Sequence, residues 1–404
     1  RGFFNGSSLF YCPIGFEHGP FDVILMRPED PLAARWRVAT TLPALRTGTR
    51  GFGRYRAPDY ETLIDHPVEM ADFQRVDFDV DGVPHALVLS GRVDADLPRI
   101  AADLTRICHV EREMFGQEPR MPQYLFLTNV VASGYGGLEH RESTALIASR
   151  GDFPRPGDTR PSRDYRIFLG LCSHEYFHLW NVKRIRSARL EASDLGREAY
   201  TADLWHYEGV TSYYDDLFLL RAGLIDAAAY LDLVSENATR LERTPGRQQQ
   251  TLADASFEAW IKYYQPDENS PNAGVSYYIK GSLTALCLDL LLRRDAGTTL
   301  DAVMREAWQR WGRSGTPVPE RGLEALAQKL SKLDLRTFFD RALRSTQDLP
   351  LAELLADFGV RATRRVAVSE TDGGGISAAE PLRCSAGLKF RPGETRVLHV
   401  YNGG

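Results

Sequence analysis

RIFLGLCSHEYFHLW, residues Arg166–Trp180, is the stretch on which the reading of this chain turns. At its centre, His174-Glu175-Tyr176-Phe177-His178 forms an H-E-x-x-H pattern. The stretch contains no Pro, and its one Gly, Gly170, lies a turn before the pattern. Ile167, Leu169, Leu171, Phe177 and Leu179 surround the two His positions, which predicts a helix buried on most sides. Pro154, Pro156 and Pro161, with Gly151 and Gly157, make the preceding segment a loop, and Ser162 or Asp164 can cap the helix start. Residues four apart share a helix face, so His174 and His178 can close on a single Zn2+. Glu175 sits at the edge of that face, within reach of a water at the metal. Two His and a Glu in a buried helix are costly to desolvate unless something satisfies them. A metal does so; so does a hydrogen-bonded core pair, and the pattern fixes only three positions.

A catalytic zinc takes three protein ligands and keeps a fourth position open. LWHYEGVTSYYDDLFLLRAGL, Leu204–Leu224, reads as a second buried helix with Trp205, Glu208, Thr211 and Ser212 at helical spacing. Glu208 is the acid in its first half and is followed by Gly209, which permits close helix approach; it is the candidate third ligand. The competing reading is a surface Glu in an i,i+4 pair, for which Ser212 supplies no cation. His206, two residues from Glu208, points to another face and suits packing better than ligation.

Three long blocks resemble the glycyl aminopeptidase family, zinc metallopeptidases of the gluzincin type with a thermolysin-like catalytic domain. They are HEYFHLWNVKRIR, then WHYEGVTSYYDDLFLLRAGL, then SFEAWIKYYQPDENSPNAGVSYYIKGSLTALCLDLLLR. The resemblance extends from GFFNGSSLF near the start to the last residues and includes the long insert between His178 and Glu208. It implies one Zn2+ per chain, with Glu175 as general base and proton shuttle. In related aminopeptidases a Tyr two residues before Lys-Gly donates to the developing oxyanion. Tyr278 stands at that position before Lys280-Gly281, with Tyr277 as the alternative. The family resemblance also gives a meaning to Gly136-Gly137-Leu138-Glu139-His140. It is similar to the Gly-rich edge strand along which gluzincin aminopeptidases lay their substrate, with Glu139 binding the free amine. Gly136 and Gly137 would let substrate backbone approach closely.

Composition narrows the partners. With 43% hydrophobic and 25% charged residues and a net charge of −5, the chain reads as an ordinary globular protein without the basic block a nucleic-acid partner needs. Five cysteines (Cys12, Cys108, Cys172, Cys287, Cys384) form neither a C-x-x-C unit nor a disulfide framework. Reduced thiols suit the cytoplasm, with the periplasm as the alternative compartment. SLTALCLDLLL has core-helix length, short of the roughly 18 apolar residues of a membrane span.

The expected fold class is α+β. Residues 1–50 carry short apolar runs broken by Gly and Pro, and by resemblance are part of an N-terminal β domain. Residues 51–348 would form the thermolysin-like catalytic domain, with a β-containing half (51–150) and a helical half (151–348). Residues 349–404 resemble a linker and the start of a PDZ-like domain.

The expected activity is zinc-dependent removal of small N-terminal residues, glycine or alanine by family resemblance, from peptides with a free N-terminus. One alternative is an endopeptidase on the same site. Another is a metal-binding scaffold recruiting partners through its PDZ-like end.

Overall fold

The computed structural model describes residues 1–158, 161–391 and 393–402. Its architecture is α+β, and internal contacts divide it into two units: Arg1–Lys183 with Arg221–Leu224, and Arg184–Leu220 with Ile225–Gly404.

The first unit opens with strands β1 (Gly2–Phe4), β2 (Phe21–Leu25), β3 (Arg37–Ala39), β4 (Ala44–Thr47), β5 (Gly53–Ala57) and β6 (Val68–Ala71). They form two antiparallel three-stranded sheets in the orders β1-β6-β3 and β2-β5-β4. A short helix, α1 (Tyr60–Ile64), lies between β5 and β6, and its first turn is capped by Asp59, which accepts from Thr62 N at 2.7 Å.

A larger sheet follows, built from β7 (Gln74–Val80), β8 (Val83–Ser90), β9 (Tyr124–Val131), β10 (Tyr135–Glu139) and β11 (Ser143–Ser149) in the order β10-β11-β9-β8-β7. β7 and β8 are joined by Asp81-Gly82, both at positive φ (51° and 79°), the conformation a two-residue hairpin with right-handed strand twist requires. Helix α2 (Leu97–Met114) then crosses over to bring β9 parallel to β8. The inner strand β8 is buried at seven of its eight positions, as expected where both faces of a parallel pair are covered. β10 is the opposite case. It lies antiparallel on β11 at the sheet edge, and its Tyr135, Gly137 and Leu138 are exposed.

Helix α3 (Arg163–Phe177) packs on α2 and on the edge of this sheet. Ser162 is its N-cap, accepting from Tyr165 N at 3.0 Å. Eleven of its residues, including Phe168–Phe177 without a break, are buried. Polar groups in that interior are satisfied locally: Ser173 Oγ donates to Glu111 at 2.8 Å, and Tyr176 Oη lies 3.0 Å from His85 Nε2.

The second unit is mostly helical. Its elements are α4 (Ala188–Glu191), α5 (Val210–Arg221, whose last residue belongs to the first unit), α6 (Ala227–Glu242), α7 (Leu252–Phe257) and α8 (Ser270–Ala273). Then come α9 (Tyr277–Ala296), α10 (Leu300–Ala307), α11 (Gly322–Ser331), α12 (Arg336–Arg344) and α13 (Leu351–Asp357). Single π-helical turns occupy Trp205–Gly209, Ala259–Tyr263 and Trp308–Gly312. Helix α9 is the core element of this unit. Ser276 caps its start and Gly297, at φ 58°, ends it in the left-handed conformation that glycine takes without strain.

Counted together with α8, the segment Ser270–Ala296 is long and apolar enough by composition to cross a membrane (mean hydropathy 1.3), so the expectation from SLTALCLDLLL alone fell short. Within the protein 78% of that window is buried, the condition of a core helix.

From Gly359 to Gly387 the chain carries no helix or strand, and it ends in the antiparallel pair β12 (Leu388–Phe390) and β13 (Val397–Val400). Asn272 anchors this pair: its Nδ2 donates to Val400 O at 2.7 Å and its Oδ1 accepts from Asn402 N at 2.8 Å. All five cysteines are free thiols, with Cys108, Cys172 and Cys287 buried.

Candidate metal centre

The predicted helix around the H-E-x-x-H pattern is α3, and it ends on the pattern itself. Phe177 is its last residue and His178 is its C-cap, still in the right-handed helical region. The two imidazoles therefore share a face across the last turn, with ring centroids 4.8 Å apart and planes at 85°. His178 is 1% exposed and His174 9%. His178 Nδ1 lies 2.9 Å from the carbonyl oxygen of Asn181. A carbonyl only accepts, so Nδ1 carries the proton and Nε2 keeps its lone pair, the tautomer a metal ligand needs.

Glu175 is 5% exposed and is held against the edge strand. Thr144 Oγ1, on β11, has its single hydroxyl proton shared between two acceptors, Leu138 O at 3.1 Å and Glu175 Oε2 at 3.3 Å. Across the pair, Thr144 is in register with Glu139, and Gly137 with Leu146. Gly137 has no side chain because there is no room for one: a Cβ would fall 2.0 Å from Glu175 Oε1. The Gly-rich strand thus passes directly over the carboxylate proposed as base, with Gly136 and Glu139 half-buried beside it. Beyond Glu139, His140 is buried, and Asp65 accepts from it and from Arg141 N.

In the second unit, Glu208 sits in the π-helical turn Trp205–Gly209 and is half-buried. That turn meets α9 at glycine: a Cβ on Gly209 would lie 2.5 Å from the Cα of Gly281. This close approach sets Glu208 beside the start of α9, where its negative charge is felt by Tyr277 and Tyr278. Burial pushes both phenols far above the ordinary tyrosine range, with Glu208 adding to the effect, so each remains a protonated donor. For Tyr278, Glu208 is the foremost charge influence; for Tyr277, Tyr264 comes first. Tyr277 is 1% exposed and its hydroxyl is 3.3 Å from that of Tyr264, whereas Tyr278 is half-buried. Tyr263 rings both, with centroids at 4.8 and 5.7 Å. His206 is 2% exposed, stacks on Tyr207 at 4.3 Å, and is pushed down to about 3 by burial, so it is a neutral packing residue.

His174, His178 and Glu208 form a single group whose donor atoms all lie within 4.8 Å of one another. Two neutral imidazoles and one carboxylate are a donor set suited to zinc, and their spacing fits ligands converging on one ion. Sequence reasoning did not single out Thr144, Asn181, Tyr263 or Tyr264. For the last two a signal existed, since Tyr263-Tyr264 is a second tyrosine doublet upstream of Tyr277-Tyr278.

Known proteins resemble this chain in sequence and in fold. The family model described as M61 glycyl aminopeptidase matches residues 167–284, and the peptidase M61 N-terminal domain matches residues 1–72. The crystal structure of an aminopeptidase N family protein from Idiomarina loihiensis is 40% identical, with a TM-score of 0.95 over 99% of this chain and 68% of its own. An M1 zinc metallopeptidase from Deinococcus radiodurans shares the fold at 16% identity, with a TM-score of 0.53 over 82% of this chain and 64% of its own. A mutant of that metallopeptidase bound to a Tyr-Ser-Ala substrate gives a TM-score of 0.51 at the same identity and coverage. No curated protein matches the chain. The H-E-x-x-H end of α3, the π-helical turn with Glu208 and the first residues of α9 all fall within the match to residues 167–284, and the chain belongs to the M61 glycyl aminopeptidase family of metallopeptidases.

Proposed function

We propose that this chain removes small N-terminal residues, glycine or alanine, from peptides, using one zinc ion held by His174, His178 and Glu208. The observation that carries this reading is the convergence of those three donors within 4.8 Å, in a chain of an aminopeptidase family. Bound there, zinc supplies Lewis acidity towards a carbonyl oxygen and lowers the pKa of water.

The protein's own groups do the rest. Glu175, held by Thr144 beneath Gly137, takes the proton of the attacking water at a carboxylate oxygen and passes it to the leaving amine. Tyr278 donates a hydrogen bond from its phenol to the oxyanion; its half-buried position, and Glu208 as the foremost charge acting on it, favour it over Tyr277, which is 1% exposed. Substrate backbone lies along Gly136 and Gly137 on the open edge of β10. Glu139, at the end of that strand, accepts from the free ammonium, a contact of roughly 1.5–3 kcal/mol that selects termini over internal bonds. The finer division of the chain belongs to the same proposal: an N-terminal β domain part (1–50), a thermolysin-like catalytic domain (51–348), and a linker with the start of a PDZ-like domain (349–404). The last is supported by the short β12–β13 pair.

A panel of aminoacyl-anilides, free and N-acetylated, with and without chelator, tests the reading. Hydrolysis of Gly- and Ala-anilides that stops with chelator and is absent for the acetylated forms is expected. Equal turnover of free and acetylated substrates would make the enzyme an endopeptidase and leave Glu139 a structural residue.

A further inference from the structure

We propose that Lys183 and Asp65 are positioning residues for this centre: their ion pair holds a strained turn that aims the Asn181 carbonyl at His178, and the same carboxylate anchors the end of the strand bearing Glu139. The proposal rests on the reading of His178 as a metal ligand.

The turn begins where α3 stops. Trp180 N and Asn181 N both bond to Phe177 O, and the chain then passes through Val182 at φ 109°. A β-branched residue avoids this region because its side chain crowds its own backbone, so the conformation persists only where surroundings impose it. What it accomplishes is specific. With Val182 so placed, Asn181 O faces back to His178 Nδ1 at 2.9 Å, and Lys183 N donates to His178 O at 3.1 Å. A carbonyl on the far nitrogen of a ligand imidazole fixes the ring's tautomer and direction, and loss of such partners weakens metal binding.

Lys183 secures the far side of the turn. Its Nζ lies 2.6 Å from Asp65 Oδ1, with the two side chains 22% and 11% exposed. Asp65 is itself fixed, since it is the C-cap of α1 and its N–H bonds to Glu61 O and Thr62 O. Its Oδ2 accepts from Arg141 N at 2.9 Å, and His140 Nδ1 approaches Oδ1 at 3.4 Å. Burial opposes ionisation of this carboxyl, but His140 and Lys183 outweigh it and hold it well below the usual range. One carboxylate therefore touches both the turn behind His178 and the two residues that follow Glu139.

The test uses Zn2+ itself, measured by competition with a chelator such as dipicolinate, beside KM and kcat for Ala-anilide. Lys183→Met should weaken zinc binding by about 10- to 100-fold, the usual effect of losing an outer partner, with KM changed less than threefold. Asp65→Asn should weaken zinc binding and also raise KM several-fold, because it releases the Glu139 strand. Val182→Gly, which adopts the turn without strain, should restore zinc affinity to Lys183→Met, and Lys183→Arg should stay near wild type. A merely structural ion pair would lower the melting temperature of Lys183→Met and leave its zinc affinity intact, and that result overturns the proposal. So does failure of Val182→Gly to rescue. A wild-type chain that binds no zinc would refute the metal reading and this inference together; a wild type and a Lys183→Met that bind it equally would refute this inference alone.

Discussion

Gly137 lies over Glu175 so closely that a methyl group on it would meet the carboxylate oxygen at 2.0 Å. The carboxylate cannot simply swing aside, because it is 5% exposed and tied to Thr144. Gly137→Ala should therefore displace the general base and cut kcat by about 10²-fold or more, within the range such bases contribute. Because Gly137 is exposed on an edge strand, the melting temperature should change little. Steady-state kinetics beside a thermal melt checks both, and an Ala variant with wild-type kcat would remove Glu175 from its place beneath this strand.

Tyr278→Phe should lower kcat by about 10²–10³-fold, the typical loss on removing one oxyanion donor, with KM nearly unchanged. Tyr277→Phe should cost less, since its side chain is buried away from the open face that Tyr278 shares. The reverse order in the measured kcat values would transfer the donor role to Tyr277.

Close backbone contact at Gly209 and Gly281 seats the turn that carries Glu208. A Cβ on Gly281 would stand 2.7 Å from Gly209 Cα, and backbone cannot yield as a flexible side chain does. Gly281→Ala should destabilise the protein by about 1–3 kcal/mol, as overpacking does, and reduce zinc retention with it. Urea unfolding with metal analysis of the folded fraction reads both.

Stability against pH carries a separate signature at Asp203. Burial pushes its carboxyl up to about 6, with Glu324 and Glu320 adding repulsion against the hydrogen bond from Arg321 N. A carboxyl raised in the folded state binds a proton there that the unfolded chain has released. Its contribution is full below about pH 4 and is lost as pH rises through about 6. At roughly 1.4 kcal/mol for each tenfold change in proton affinity, up to about 3 kcal/mol is at stake. Asp203→Asn, which keeps an acceptor for Arg321 N, should flatten the urea midpoint between pH 4 and 6 and raise it at pH 7. A pH profile identical to wild type would exclude Asp203 as its source.

Much of this was legible in the chain because it is local. The apolar residues around His174 and His178, the cap at Ser162 and the loop before it are written within twenty residues, and α3 appears where they place it. The Asp81-Gly82 turn, the alternation of β7 before it and the apolar run of β8 after it are likewise local. The supporting residues were not legible, because their partners are distant in sequence. Thr144 meets Glu175 across 31 positions, and Lys183 meets Asp65 across more than a hundred. Asn181 acts through its carbonyl, which every residue has, so no side-chain pattern marks it. The π-helical turn at Trp205–Gly209 is not legible either, because a single such turn has the residue types of ordinary helix.

Metal analysis of the purified chain, wild type beside Glu208→Ala, tests the central claim most directly. One zinc per wild-type chain, lost in Glu208→Ala together with Ala-anilide hydrolysis, is the predicted result. Full zinc occupancy in Glu208→Ala, or activity in a wild-type chain stripped of metal, would contradict it.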